Sequence, residues 1–308
     1  MRIAVLMTCH NRKLETLSAL AALYQQQGYR AENLSVYLVD DGSLDGTATA
    51  VREQYPQVIL LQGTGTLFWN RGMRLAFAQA ILQDYDFYLW LNDDTTLYPD
   101  AIARLIATFN HLVQVSDREG IVSGAAQDDQ TKTLTSGGFR FVRPKFLMRF
   151  ELIEPQAEAV PCDTISGNCV LIPRSIVQTL GNLNPLFSHF LGDLDYGLRA
   201  RKLNYPVWIA PGYIGTSPQH HNRGNELEQV ASLPQICRQL QNPKGISFGN
   251  DLQQRFLPMG EWTLFLKMHS GRSWVIPWLL TYRKLVGLLW KRWVSQLTQQ
   301  EKFPYSGK

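Results

Sequence analysis

The sequence predicts an α/β fold built on a mostly parallel central sheet, with a helical extension at its C-terminal end. Three observations carry that prediction. Short apolar runs alternate with helix-periodic stretches through the first third of the 308 residues, and a regular β-α-β-α order implies a parallel sheet covered on both faces. Polar clusters follow the apolar runs: Thr8-Cys-His-Asn11, Asp40-Asp41-Gly42, Gly63-Thr-Gly65 and Asn92-Asp93-Asp94. In sheets of this kind ligands sit beyond the carboxyl ends of the strands, so the recurrence points to one nucleotide-type site. Finally, from Trp262 onward the chain turns aromatic and basic, which marks a different segment.

The elements follow in order. Residues 3–7 form a first strand, and 14–27 carry helical spacing of Leu and Ala that stops before Gly28. Residues 34–39 form the second strand, 47–55 a helix, 58–61 a short third strand, 71–82 a helix and 87–91 the fourth strand. After Ile121 the pattern loosens into short β segments at 131–135, 162–165 and 168–172, joined by Gly, Pro and charge. A helix then spans about 193–203. There is no internal repeat and no low-complexity tract.

Composition bounds the function. The apolar share of 45% and charged share of 18% describe an ordinary folded chain. The net charge of +4 is mild, and the first two hundred residues hold no basic cluster interleaved with aromatics, so nucleic acid is not an expected partner. Cys9, Cys162, Cys169 and Cys237 form no C-x-x-C pair and read as reduced thiols of a cytoplasmic protein. The opening strand is too short for a signal peptide, and no stretch is long and apolar enough to predict a spanning helix. No G-x-S-x-G, P-loop or H-E-x-x-H pattern occurs, and Gly63-x-Gly65 lacks the third glycine of a dinucleotide fingerprint.

Three acidic clusters each have two readings. Asn92-Asp93-Asp94 at a strand end presents carboxylates suited to a hard divalent cation against a diphosphate; alternatively, Asp93 or Asp94 caps a helix entered at Pro99. Asp41 either accepts a hydrogen bond from a base or ribose, or belongs to an Asp-Gly turn into a helix capped by Ser43 or Asp45. In Gly192-Asp-Leu-Asp-Tyr-Gly-Leu-Arg-Ala-Arg201, Asp193 is a candidate general base. The alternative is a pairing of acidic first turn and basic last turn with the helix macrodipole.

Taken together, Val39-Asp-Asp-Gly-Ser43, Trp90-Leu-Asn-Asp-Asp94, Ile165-Ser-Gly-Asn-Cys-Val-Leu-Ile-Pro-Arg174 and the 192–201 segment resemble, in order and spacing, the family 2 glycosyltransferases of GT-A fold. The resemblance covers roughly the first 220 residues. It implies an inverting transferase that uses a nucleotide-activated sugar and a divalent metal, Mn2+ or Mg2+. Carried over residue by residue, Thr8 and Asp41 would contact the nucleoside with Asn11 nearby, and Asn70 and Arg71 would approach the diphosphate and donor sugar. Asp93 lies within the metal motif, Asp94 is its last acidic residue, and Asp193 matches the catalytic base. Asn92 and Gly192 stand where the family often has Asp and Glu, and Trp69 is unusual at its place. His220 or His221 would complete the metal shell from a later loop, imidazole being a competent ligand.

The expected organisation is a GT-A-like catalytic domain over 1–222, with a nucleotide-sugar half (1–115) and an acceptor half (116–222), then a helical, basic-aromatic extension over 223–308. The pattern of Trp, Leu and Val with Lys and Arg across 274–293 fits either a helix lying in a membrane interface or one packed on the catalytic domain. The expected partners are a dTDP- or UDP-sugar, with rhamnose the favoured sugar, and a glycan or lipid-linked acceptor in polysaccharide biosynthesis. The location would be cytoplasmic, at the inner face of the membrane. The rivals are a sugar nucleotidyltransferase, whose glycine-rich loop after the first strand is missing here, and a catalytically degenerate scaffold or sugar-binding protein.

Overall fold

The computed structural model describes residues 1–29, 31–218, 233–244, 246–247, 255–256 and 258–300. The chain divides into two compact units, residues 1–141 with 150–220, and residues 142–149 with 221–308.

The first unit opens with β1 (Ile3–Cys9), α1 (Lys13–Tyr24), β2 (Leu34–Asp40), α2 (Thr47–Gln54), β3 (Ile59–Gln62), α3 (Phe68–Ala80), β4 (Phe87–Leu91), the two-residue β5 (Thr96–Leu97) and α4 (Ala101–Ser116). It continues with β6 (Ile121–Gln127), β7 (Leu134–Ser136), β8 (Gly138–Phe141), β9 (Phe150–Leu152), β10 (Val160–Pro161), β11 (Thr164–Ile165), β12 (Cys169–Pro173), α5 (Arg174–Leu180), α6 (Gly192–Lys202) and β13 (Val207–Thr216). The main sheet runs β10-β13-β6-β12-β4-β1-β2-β3. Strands β3, β2, β1 and β4 are parallel neighbours, as are β6 and β13, while β12 runs antiparallel between β4 and β6.

Alternation along β1 sets the two cores. Ile3, Val5, Met7 and Cys9 face α1, α2 and α4, whereas Ala4 and Leu6 face α3, α5 and α6. Both faces are therefore dry, as near-continuous apolar strands require.

Two central strands were not legible as strands. β6 reads Ile-Val-Ser-Gly-Ala-Ala-Gln, and its small residues are demanded by packing: a Cβ at Gly124 would run into Ile214. β13 contains Pro211 and Gly212 and shifts register between Ile209 and Tyr213, which breaks the period of two. The expected strand at 131–135 is instead displaced to β7, because Asp128 Oδ1 accepts the Gln130 and Thr131 amides (3.1 and 2.8 Å) in a tight turn. The helix expected at 71–82 starts three residues earlier, for a reason given below. α4 is the helix expected to be entered at Pro99, beginning at Ala101, and α5 is a further helix that the apolar pattern alone had not marked.

The second unit holds α7 (Leu233–Gln239), the antiparallel pair β14 (Ile246–Ser247) and β15 (Arg255–Phe256), α8 (Met259–His269) and α9 (Val275–Gln300). Pro277 lies in the first turn of α9, where its missing N–H costs no helical bond. Trp278 and Trp262 donate their indole N–H groups to Thr263 and Thr281 (2.9 and 3.3 Å), tying α8 to α9. Among the described residues no helix is long and apolar enough to cross a membrane.

Candidate active site

The C-terminal edge of the parallel strands gathers the polar clusters. Cys9 pairs with Asp40 across β1 and β2, and Leu6 with Trp90 across β1 and β4, so the turns after β1, β2 and β4 emerge side by side. β12 is antiparallel, with Cys169 opposite Leu91, so its beginning lies beside the end of β4. That reversal brings Ser166-Gly167-Asn168 to the same edge, and the Asn92 amide donates to the Asn168 carbonyl (2.9 Å).

The turns after β1 and β2 are laced together. The Asn11 amide donates to Ser43 Oγ (2.9 Å), Asn11 Oδ1 accepts the Leu44 amide (2.7 Å), and His10 Nδ1 lies 2.5 Å from the Asp41 carbonyl oxygen. Asp45, one residue before the N-cap Gly46 of α2, accepts the amides of Thr47 and Lys13 (3.0 and 2.9 Å), doing the work expected of a cap. Thr8 is buried against Gly72 of α3, where an added Cβ would lie 3.0 Å from the Thr8 Cβ.

Asp41 is buried and committed to backbone. Its Oδ1 accepts the Gly65 amide (2.7 Å), and its Oδ2 accepts those of Leu67 and Phe68 (2.8 and 3.1 Å). These are among the amides that a helix start leaves without intrahelical partners. Asp41 thus satisfies the entry to α3 from another strand, which is why the helix begins before residue 71.

Asp93 and Asp94 are both buried, and neither caps α4, whose flanking Asp100 makes no side-chain cap bond. Arg12 Nη1 instead bridges Asp93 Oδ1 (3.2 Å) and Asp94 Oδ2 (2.6 Å). Burial and the neighbouring Asp94 push the Asp93 carboxyl up to about 7, against the pull of Arg12. Among the described residues no three His, Cys, Asp or Glu side chains form a metal-holding group. Two adjacent carboxylates still match the way Mg2+ is usually bound, through one or two carboxylates plus substrate phosphates and water. His220 and His221 lie outside the described residues.

Asp193 is half-buried in the first turn of α6. Its Oδ2 accepts the Gly167 amide (2.9 Å) and its Oδ1 the Leu194 amide (2.8 Å). Burial raises its pKa, while those backbone bonds partly oppose the rise. Asp195, two residues on, is fully buried and paired with Arg199 one helical turn later (2.8 Å).

Trp69 connects these groups. Its indole N–H donates to Asn92 Oδ1 (2.7 Å), and its ring lies so close to Gly167 that a Cβ there would fall 2.5 Å from Cη2 and nearer still to Cζ2. One side chain therefore spans from the Asn92-Asp93-Asp94 turn to the peptide that orients Asp193. Next to it, Asn70 is fully buried and donates to the carbonyls of Asn184 (3.0 Å) and Phe187 (2.7 Å), clamping the 184–188 loop. A Cβ on Gly192 would sit 2.6 Å from the Asn70 Cγ. The absence of a side chain at 192 is thereby explained: the Asn70 amide fills that volume. Arg71, on the next position of α3, is exposed.

Arg12, Trp69 and Gly167 build the site, yet only Trp69 stood out in the sequence. A basic residue soon after a first strand was the available signal for Arg12; Gly167 lies in the 165–174 segment that carries the family resemblance, but its own part in the site shows only in its contacts with Trp69 and Asp193.

The family described as Glycosyl transferase family 2 matches residues 4–181. The chain belongs to that family. Among curated family relatives, N-acetylglucosaminyl-diphospho-decaprenol L-rhamnosyltransferase of Mycobacterium tuberculosis is 26% identical over 216 residues, covering 63% of this chain and 69% of its own. Among solved structures, Staphylococcus TarS 1-349 (S. aureus) aligns with a TM-score of 0.50 and 14% identity, over 71% of this chain and 61% of that one. Mannosyltransferase PcManGT from Pyrobaculum calidifontis, in complex with GDP-Man and Mn2+, aligns with a TM-score of 0.49 and 16% identity, over 78% of this chain and 61% of its own. This chain thus spans about three fifths of each of those solved chains. The fold of this family 2 glycosyltransferase is α/β of GT-A type, with a mostly parallel central sheet and a helical C-terminal part.

Proposed function

We propose that this family 2 glycosyltransferase is an inverting enzyme that transfers a sugar, rhamnose by preference, from a dTDP- or UDP-sugar to a lipid-linked glycan acceptor. The observation that carries the reading is Asp193. It is a half-buried carboxylate with a raised pKa, held by the Gly167 amide, whose neighbour Asn168 pairs with Asn92 at the sheet edge where Asp93 and Asp94 emerge. The sugar and the lipid-linked acceptor are suggested by the mycobacterial relative, an N-acetylglucosaminyl-diphospho-decaprenol L-rhamnosyltransferase.

In this reading Asp193 takes the proton of the acceptor hydroxyl as its oxygen attacks the anomeric carbon, opposite the departing diphosphate. A single displacement inverts the configuration. Thr8, Asn11 and Asp41 form the nucleoside side. Three of the roughly four acceptor positions of the Asp41 carboxylate hold the loop before α3, which leaves one for a base or ribose. Asn70 fixes the donor-side wall, and the exposed Arg71 neutralises charge on the leaving group. Asp93 and Asp94 would hold a divalent cation, Mn2+ or Mg2+, which supplies charge neutralisation at the diphosphate when bound. Residues 1–115 serve the donor and 116–222 the acceptor, with 223–308 an extension. A lipid-linked acceptor would put the reaction at the inner face of the cell membrane.

A thermal-shift panel of UDP, dTDP, GDP and CDP, each with and without Mn2+, tests this reading, because ligand binding to the folded state raises Tm by mass action. A Mn2+-dependent rise with dTDP or UDP is expected. No rise with any nucleotide, or a rise with GDP alone, overturns the donor assignment.

A further inference from the structure

α9 is apolar on two sides. One side packs inward: Leu285 is buried with Ile236 of α7, and Tyr282, Leu288, Leu289 and Leu240 pack around them. On a soluble helix the opposite side should be polar. Here it carries Ile276, Leu279, Leu280, Val286, Trp290 and Trp293, all exposed, with Val286 and Trp290 each at 63%. Their three- and four-residue spacing places them on one stripe, and the stripe is the complement of the packed one. Arg283 and Lys291 are exposed on the same side. Residues 275–300 contain four Lys or Arg and not one Asp or Glu.

We propose that this face of α9 seats the protein on an anionic phospholipid surface. The stripe has the make-up of a helix lying in a membrane interface: tryptophan and aliphatic residues to enter the headgroup boundary, cations to meet the headgroups, and too many charges to span. Charge decides between a bilayer and a second copy of the chain. A twofold pairing of this stripe would bring Arg283 and Lys291 of one copy towards the same cations of the other, with no carboxylate in the helix sequence to meet them. Anionic headgroups supply the missing charge. The inference deepens the proposed use of a lipid-linked acceptor, since a surface-bound enzyme meets such an acceptor in two dimensions.

Co-sedimentation of the full chain with vesicles tests it without donor or acceptor, so it can fail while the glycosyltransferase reading stands. Binding is expected to phosphatidylglycerol–phosphatidylcholine vesicles and to be much weaker with phosphatidylcholine alone. Each cation near an anionic surface contributes about a fivefold factor in partitioning, so the double variant R283Q/K291Q should bind about 25-fold more weakly. The double variant V286E/W290E, altered at two exposed positions, should fold normally by circular dichroism, keep its nucleotide-induced Tm shift and lose vesicle binding. Absence of binding to anionic vesicles, or equal binding to neutral ones, overturns the proposal. So does a wild-type dimer that V286E/W290E dissociates, with no vesicle binding, since a second copy would then be the occupant.

Discussion

Gly167→Ala is the sharpest perturbation of the catalytic edge. A methyl group there would sit 2.5 Å from Trp69 Cη2, closer still to Cζ2, and 3.3 Å from Cε2. Ordinary carbon–carbon contact is about 3.5–4.0 Å, so the indole must withdraw by roughly 1 Å or more. That shift stretches its 2.7 Å hydrogen bond to Asn92 beyond useful range. Overpacking costs about 1–3 kcal/mol and the lost bond about 0.5–1.5 kcal/mol, so a destabilisation on the order of 2–4 kcal/mol follows. Differential scanning calorimetry should show Tm lower by on the order of 5–15 °C. Because Gly167 also orients Asp193, a displacement of about 1 Å should cut kcat by about a hundredfold. The background variant Trp69→Leu provides the control. With the indole gone, the same Gly167→Ala change should cost less than about 0.5 kcal/mol, and the difference measures the Gly167–Trp69 contact by a double-mutant cycle. Full stability and turnover in Gly167→Ala alone would refute the reasoning, because the ring would then not be held where Asn92 and Gly167 place it.

The remaining predictions concern charge. Asp193→Asn should lower kcat by about 10²–10⁴ while the nucleotide-induced Tm shift persists. An amide can replace only one of the two acceptor oxygens that meet the Gly167 and Leu194 amides, so some loss of orientation accompanies the loss of the base. In the wild type the base must be ionised, and burial raises its pKa. Activity therefore rises with pH through a limb centred above the ordinary Asp value of about 3.9, and a limb at or below that value would contradict the burial argument. Arg12→Met removes the guanidinium that bridges Asp93 and Asp94 and should cost up to about 3 kcal/mol, the low end for a broken buried ion pair because Arg12 is partly exposed. The same variant should show a larger Mn2+-induced Tm rise than wild type, since arginine and cation compete for the same oxygens. An equal or smaller rise would mean that the cation does not bind there.

The alternation of β1 to β4 with α1 to α3 was legible because burial on both faces leaves near-continuous apolar strands, and that signature is local. The same holds for the polar turns at the strand ends. β6 and β13 were hidden because one is built of small residues to admit Ile214 and the other is bulged at Pro211–Tyr213. The start of α3 was misjudged because its cap, Asp41, is twenty-six residues away from Leu67 in sequence.

The sequence alone determined the order of β1 to β4 with α1 to α3, the acidic turns and the family, since these depend on residue type and near-neighbour spacing. Only the tertiary structure decided the assembly of the catalytic edge. The antiparallel β12 brings Gly167 to Asn92, Trp69 joins the two, and Asn70 occupies the space left by Gly192. Arg12 reaches the two carboxylates from eighty-one and eighty-two positions away. Such contacts follow from sheet order and packing volume, which no local pattern of residues encodes.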